Sequence, residues 1–368
     1  MKKKSFVNRL LAAVLIPLLL ASLMMTGCGV PAKQALSGTR TFTDSAGRTV
    51  EIPNEIRSVA PSGSYAQMFL ISLCPEKLIG LSSALTRSQK KYLPEYLVSL
   101  PTFGQFYGGS GTVNYEAIIS ADPDVIIDIG EKKDTIVEDM DSLQEKTGIP
   151  VVFLESSLEQ VPDTFVSLGE LTGTEQRAQE LAAYCTDVLE RVKETTASLS
   201  ESEKIRVYVG DGEYGTEASP AGSVHSEVMD LLGAVNVAAL EEYSDSGKKE
   251  VPMEQILIWD PEVVFLTTDA NYDEIYEDPV WSSVQAVKDH RVYEIPSSPY
   301  NWIDRPPSMQ RILGLLWMGN LLYPERYGFD MVKKVQEYYR LFYQYDLSKD
   351  EAEEMLAHST LEDRGLTG

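Results

Sequence analysis

Four short stretches of this chain carry side chains suited to holding a ligand. Pro61-Ser62-Gly63-Ser64 lies between a strand-like and a helix-like segment. Backbone N–H groups at a helix N-terminus, with Ser62, Gly63 and Ser64 around them, suit a polar or anionic ligand. Phe103-Gly104-Gln105-Phe106-Tyr107-Gly108-Gly109-Ser110-Gly111 combines glycine, which permits close backbone approach, with flat aromatic surface. Its candidate contacts are Gln105, Phe106 and Tyr107. Further on, Gly222-Ser223-Val224-His225 precedes another helix-like stretch and offers Ser223 and His225. The fourth, Pro296 to Pro307, reads Pro-Ser-Ser-Pro-Tyr-Asn-Trp-Ile-Asp-Arg-Pro-Pro. Here Tyr300, Asn301, Trp302 and Arg305 combine stacking surface, an amide and a cation.

Other chemistries are poorly supported. The chain holds 3 histidines, His225, His290 and His358. His290 sits in the polar run Lys-Asp-His-Arg and His358 near the end, so a histidine-cluster metal site is not expected. Ser223 and His225 come without a Gly-x-Ser-x-Gly elbow, and no Walker loop occurs. The expectation is a binding protein with no cofactor of its own, not an enzyme. The formal charge is −24, which disfavours nucleic acid, whose phosphates need basic patches.

These stretches must be positioned by something, and the chain repeats its scaffold. Tyr115 to Ile127 (Tyr-Glu-Ala-Ile-Ile-Ser-Ala-Asp-Pro-Asp-Val-Ile-Ile) recurs as Met253 to Phe265 (Met-Glu-Gln-Ile-Leu-Ile-Trp-Asp-Pro-Glu-Val-Val-Phe). Each copy predicts a short helix stopped at Asp-Pro and a β-branched strand buried on both faces. Between the copies, Ala178, Leu181, Ala182, Cys185, Val188, Leu189 and Val192 fall on one face of a helix over 174–199, with Thr174 as N-cap. The reading is an α/β protein: two similar lobes with central, mostly parallel sheets, joined by one long connecting helix, with a ligand cleft between them. A hairpin around Gly47-Arg48, strands at 57–60, 77–81, 150–154, 205–209 and 291–295, and a Ser348/Glu351 capping box complete the prediction. Cys74 and Cys185 read as buried free thiols.

The N-terminus reads as an address. Lys2-Lys3-Lys4, an apolar run from Leu10 to Met25, then Thr26-Gly27-Cys28, form a secretory signal too short to span a membrane. Its loss removes Lys2, Lys3, Lys4 and Arg9 and no acid, moving the charge to −28. The organisation expected is signal 1–27, tether 28–38, first lobe 39–165, connecting helix 166–202, second lobe 203–358 and a frayed tail 359–368.

Thr26-Gly27-Cys28 resembles a bacterial lipobox, which implies that Cys28 is lipidated. Together with Thr43-Asp44-Ser45-Ala46-Gly47-Arg48-Thr49-Val50-Glu51-Ile52-Pro53, the two Glu-plus-Asp-Pro units and Trp302-Ile303-Asp304-Arg305-Pro306-Pro307, it makes the chain resemble the class III substrate-binding lipoproteins of ABC importers. That family serves ferric siderophores, haem and cobalamin and, in one branch, molybdate or tungstate. The resemblance implies a monomer anchored by lipid to the outer face of the cytoplasmic membrane, working with an ABC permease and its ATPase. Glu116 and Glu254, one per lobe, would dock on the permease. For the ligand it implies first a metal chelate (a ferric siderophore, haem or corrinoid) stacked on Phe106, Tyr107, Tyr300 and Trp302 with Arg305 meeting its charge. The alternative is an oxyanion such as molybdate held by Ser62, Ser64, Gln105, Ser223, His225 and Asn301.

Overall fold

The computed structural model describes residues 38–107, 113–223, 225–240, 247–268, 270–304, 307 and 309–361. The leader, Cys28 and Arg305 lie outside these. The alternating segment forms a hairpin of β1 (Thr39–Thr43) and β2 (Thr49–Pro53). Asp44 shapes its turn, accepting from the N–H groups of Ala46 and Arg48, while Gly47 takes φ +86°.

The first lobe continues with β3 (Val59–Pro61), α1 (Ser64–Leu73), α2 (Arg87–Tyr92), α3 (Tyr115–Ala121), β4 (Val125–Gly130), α4 (Ile136–Thr147), β5 (Val151–Glu155) and α5 (Val161–Thr172). The long helix α6 (Glu175–Ala197) follows. The second lobe holds β6 (Arg206–Asp211), β7 (Glu217–Ala218), α7 (Glu227–Leu231), β8 (Val235–Asn236), β9 (Lys249–Glu250), α8 (Met253–Trp259), β10 (Val263–Leu266), α9 (Tyr272–Glu277), α10 (Gln285–Lys288) and β11 (Val292–Glu294). Helices α11 (Arg311–Leu322), α12 (Pro324–Tyr327), α13 (Met331–Tyr343) and α14 (Lys349–Met355) close the described chain.

The repeat is built twice in the same way. In the first sheet, β3-β4-β5, all strands are parallel, with Val59 opposite Val125 and Ile126 opposite Val151. In the second, β6-β10-β11 are parallel, with Val207 opposite Val263 and Val264 opposite Val292. The repeat's strand is central in each trio. Its helix ends on an aspartate in the left-handed region, Asp122 at φ 51° and Asp260 at φ 39°, just ahead of the proline. The next acidic residue ties the unit to the neighbouring strand. Asp124 accepts from the N–H groups of Arg57 (2.7 Å) and Ser58 (2.9 Å), and Glu262 accepts from Arg206 N–H (2.9 Å). Only the second sheet is extended, by antiparallel β7 and β9 and by β8 alongside β6.

Each lobe has a private core, and a third core is shared. The shared one gathers α1, α6, α11 and α13, which is why α11 is buried around its whole circumference. Helix α6 buries Ala178, Leu181, Ala182, Cys185, Val188 and Val192, the predicted face. It packs along α5, so the connecting helix expected over 166–202 is two helices, parted at Gly173 in the left-handed region (φ +70°). A side chain at Gly169 would meet the Ala178 methyl at 2.3 Å, so the glycine permits this close approach. Residues from Arg40 onward form one compact unit. Cys74 and Cys185 are buried free thiols, and burial pushes the Cys74 thiol up to about 12.

Three expectations change. Residues 77–81 do not form a strand: Pro75 starts a 3₁₀ turn over Pro75–Lys77, and only single bridges remain, Val59 to Leu78 and Leu81 to Thr102. Thr174 stands at the N-cap of α6 without capping it, its hydroxyl pairing with Thr172 Oγ1 at 2.8 Å instead. The tail is pinned beyond 358, since Trp317 Nε1–H donates to the Ser359 carbonyl at 2.8 Å. The spacing Gly210-x-Gly212-x-x-Gly215 begins within β6, and the chain then enters β7 rather than a helix, so no dinucleotide cradle forms. Among the described residues no helix is long and apolar enough to cross a membrane.

Candidate ligand-binding site

In open parallel sheets, ligands bind beyond the carboxyl ends of the strands. Three of the four candidate stretches begin at or beside those ends, whereas Gly222–His225 follows β7, antiparallel to β6, and meets the fourth stretch through His225 and Asp304. Ser62 follows β3 and Gly63 is the N-cap of α1, in extended backbone. The Ser62 hydroxyl, buried, donates to the Asp128 carboxylate within β4. Phe106 N–H donates to the Ser62 carbonyl at 2.8 Å, and Ser64 Oγ to Gln105 Oε1 at 3.1 Å. The 103–107 loop is thus laced onto the β3–α1 turn. Phe106 and Tyr107 meet edge to face at 4.8 Å, Tyr107 Oη donates to Asp139 at 2.6 Å, and Lys133 Nζ stands 3.7 Å from the Tyr107 ring centre. The first lobe therefore brings together Ser62, Gly63, Ser64, Gln105, Phe106 and Tyr107.

Two carboxyls here are tuned oppositely. Burial raises Asp128 to about 6, although the Ser62 hydroxyl and Lys133 pull it down. Hydrogen bonds from Tyr107 and Thr135 hold Asp139 below the usual carboxylate range.

In the second lobe the Ser223 hydroxyl is already committed to the Pro220 carbonyl (2.8 Å). His225 Nδ1 contacts the buried carboxylate of Asp304. Asn301 Oδ1 accepts from the N–H groups of Ile303 and Asp304, both at 2.9 Å, and so holds the turn that presents Asp304. Gly247 lies against the His225 ring. Two further ion pairs stand nearby in sequence, Lys248 with Asp211 and Arg311 with Glu227.

The structure does not place Tyr300 and Trp302 with these groups. Trp302 is 0% exposed and packs against Trp317 at 6.1 Å, with its carbonyl against Gly314. Tyr300 is buried beside Tyr343. In this conformation neither offers a ring face for stacking. They hold the 296–304 loop in the shared core, while Asn301 stays half-buried at its surface. Ser88 Oγ and Ser298 Oγ, 2.8 Å apart, join this loop to the first lobe.

Sequence reasoning missed Asp128, Asp304 and Gly247. Asp128 had a signal, being the one charge in the apolar run Val125–Ile129. Asp304 sits inside a motif that was noticed for its neighbours. Among the described residues no group of three or more His, Cys, Asp or Glu is arranged to hold a metal ion.

The sequence model of the periplasmic binding protein family matches residues 77–299. The chain belongs to that family. A solved ABC transporter solute-binding protein from Sulfurospirillum deleyianum superposes with a TM-score of 0.80 at 31% identity, covering 86% of this chain and 99% of that one. Molybdate-binding protein MolA of Haemophilus influenzae is 24% identical over 341 residues, covering 85% of this chain and 93% of that protein. Fe(3+)-citrate-binding protein YfmC of Bacillus subtilis is 24% identical over 302 residues, covering 79% and 90%. The chain is a class III substrate-binding protein of an ABC importer. Proteins of this kind are extracytoplasmic transport components, not enzymes, and deliver small ligands to a permease and its ATPase.

Proposed function

We propose that the cargo is a small metal oxyanion, molybdate or tungstate. The observation that carries this is the lining: two of the four candidate aromatic residues are core, while the β3–α1 turn with Gly63 at the helix N-cap, Gln105 and the His225 imidazole remain as polar groups. A haem or corrinoid needs flat apolar contact. A tetrahedral dianion needs donors. A Kd of about 1 µM corresponds to about −8 kcal/mol. Four or five charge-assisted hydrogen bonds at about 1.5–3 kcal/mol each are of the right gross size. MolA, named for molybdate, supports the reading. A ferric citrate complex is the second reading: it too is small and anionic, and YfmC is named for it.

The test is calorimetric titration of the purified protein with molybdate and tungstate, then ferric citrate, ferric siderophores, haem and cobalamin. Micromolar or tighter oxyanion binding, with no chelate binding, is expected. Binding of a chelate alone would overturn the proposal.

The remaining machinery is inferred in the same spirit. Cys28 carries the lipid anchor, and the protein works as a monomer on the outer face of the cytoplasmic membrane. Glu116 and Glu254 dock on basic residues of the permease. Both are exposed on the first turns of the equivalent helices α3 and α8, near the exposed Ile119 and Ile258. Two carboxylates at matching places on two lobes suit a partner of two-fold symmetry.

A further inference from the structure

We propose that helix α2 is a releasable clasp between the lobes, which must let go for the cleft to open. Its place in the chain puts it in the first lobe. Just ahead of it, Ser82 N–H and Oγ both donate to Gln67 Oε1 of α1, at 2.7 and 2.9 Å. Leu81 N–H donates to the Pro101 carbonyl at 2.9 Å, and its own carbonyl accepts from Phe103 N–H at 2.7 Å, at the base of the 103–107 loop. A capping box of Thr86 and Gln89 fixes the first turn of α2. Ser88, Lys91 and Tyr92 then stand at i, i+3 and i+4, on one face.

All three of those side chains reach across. Ser88 Oγ lies 2.8 Å from Ser298 Oγ in the 296–304 loop of the second lobe. Lys91 Nζ pairs with Glu351 of α14 at 3.2 Å. The Tyr92 ring stands edge to face with Tyr339 of α13 and with Tyr345, each at 5.3 Å. These partners are fastened to the second lobe. Tyr339 Oη donates to the Ser298 carbonyl, and the turn after α14 is bonded to β11 through Glu294 and Ser359. The clasp thus links the loop that carries Gln105, Phe106 and Tyr107 to the loop that carries Asn301, the two candidate walls of the cleft.

The grip is of a kind that can be released. The Lys91 and Glu351 side chains are 44% and 23% exposed, so water and salt screen the pair. The two serine hydroxyls trade one neutral hydrogen bond for bonds to water, at little net loss. Tyr92, 7% exposed, supplies the apolar part through its two ring contacts. Parting the walls breaks these contacts together and leaves the covalent link through α6 in place.

The test is hydrogen exchange of the purified, ligand-free protein, read by mass spectrometry, so its result does not depend on which cargo is carried. Tyr92→Ala, a change in the first lobe, should speed exchange in residues 296–304 of the second at least tenfold. Tyr345→Ala should do the same to residues 86–93. Ser88→Cys combined with Ser298→Cys should cross-link, and both segments should then exchange at least tenfold more slowly than after reduction. Thermal melts identify a variant that loses its fold. Ser88→Ala with Lys91→Met, which touches no fully buried side chain, then decides, with about threefold faster exchange expected in 296–304. Faster exchange confined to the altered helix would mean that Tyr92 only steadies α2, and overturns the inference. Equal exchange in the cross-linked and reduced forms would show a contact that never lets go, and overturns it too. Failure of the cysteine pair to cross-link would set the two serines apart and count against it equally.

Discussion

The two lobes share a backbone unit and differ in how they settle buried charge at the strand ends. In the first lobe Asp128 is answered by a neutral hydroxyl, that of Ser62, and burial raises it to about 6. In the second lobe Asp211 is answered by Lys248 and Asp304 by His225. Burial keeps Asp128 close to neutrality against the pull of the Ser62 hydroxyl, whereas a lysine beside a carboxylate keeps it ionised. A duplicated scaffold can thus carry a near-neutral carboxyl in one lobe and an ion-paired one in the other. The lesson is that internal repetition fixes where a site lies without fixing its electrostatics.

The symmetry that remains is on the outer face, and breaking it should have the largest effect. Replacing both Glu116 and Glu254 with Ala should lower ligand uptake into cells at least tenfold, with calorimetric affinity intact. Each single replacement should give a similar partial loss. Unchanged transport in the double variant would sink the docking assignment.

Trp302→Ala probes the asymmetry of the aromatic residues. A fully buried indole packed on Trp317 should cost about 3–5 kcal/mol when removed, read by urea unfolding. Phe106→Ala, half-buried in the first lobe, should cost clearly less. Equal losses would contradict the core placement of Trp302.

Asp128 sharpens the electrostatic contrast. Its folded carboxyl holds a proton at a pH where an unfolded aspartate has lost it. Its contribution to stability is therefore fully present below about pH 3.9 and is lost as pH rises through about 6. Asp128→Asn, permanently neutral, should remove that slope. Relative to the parent it should gain about 2–3 kcal/mol between pH 4 and pH 7.5, measured by denaturant unfolding across that range. No change in relative stability would show that Asp128 titrates normally.

The smallest effect separates the two strand ties. Asp124 accepts two backbone N–H bonds and Glu262 one. Asp124→Ala should destabilise by about 1–3 kcal/mol and Glu262→Ala by about 0.5–1.5 kcal/mol. The reverse order in thermal melts would refute the comparison.

Much of this plan was legible in the residues. The paired Asp-Pro units gave both central strands, because proline and β-branched residues act locally and leave periodic traces. The face of α6 was readable for the same reason. The site was legible only as a set of loops. Which of Tyr300, Trp302, Phe106 and Tyr107 would be buried depends on packing against α11 and α13, far along the chain. The His225–Asp304 pairing likewise spans a separation that no local pattern encodes. Residues 77–81 depart from the expected strand because Pro75, two residues upstream, starts a 3₁₀ turn that runs into Lys77.

The pinned C-terminus has a practical consequence. Strand β11 is one edge of the second sheet, and such an edge is an invitation to pair with other chains. Here Glu294 N–H donates to the His358 carbonyl at 2.9 Å, and Ser359 Oγ donates to the Glu294 carbonyl. The last described turn therefore acts as a guard over an adhesive border. A protein shortened to end before His358 would expose that border and should self-associate on concentration, whereas a reporter fused beyond Leu361 leaves the guard in place.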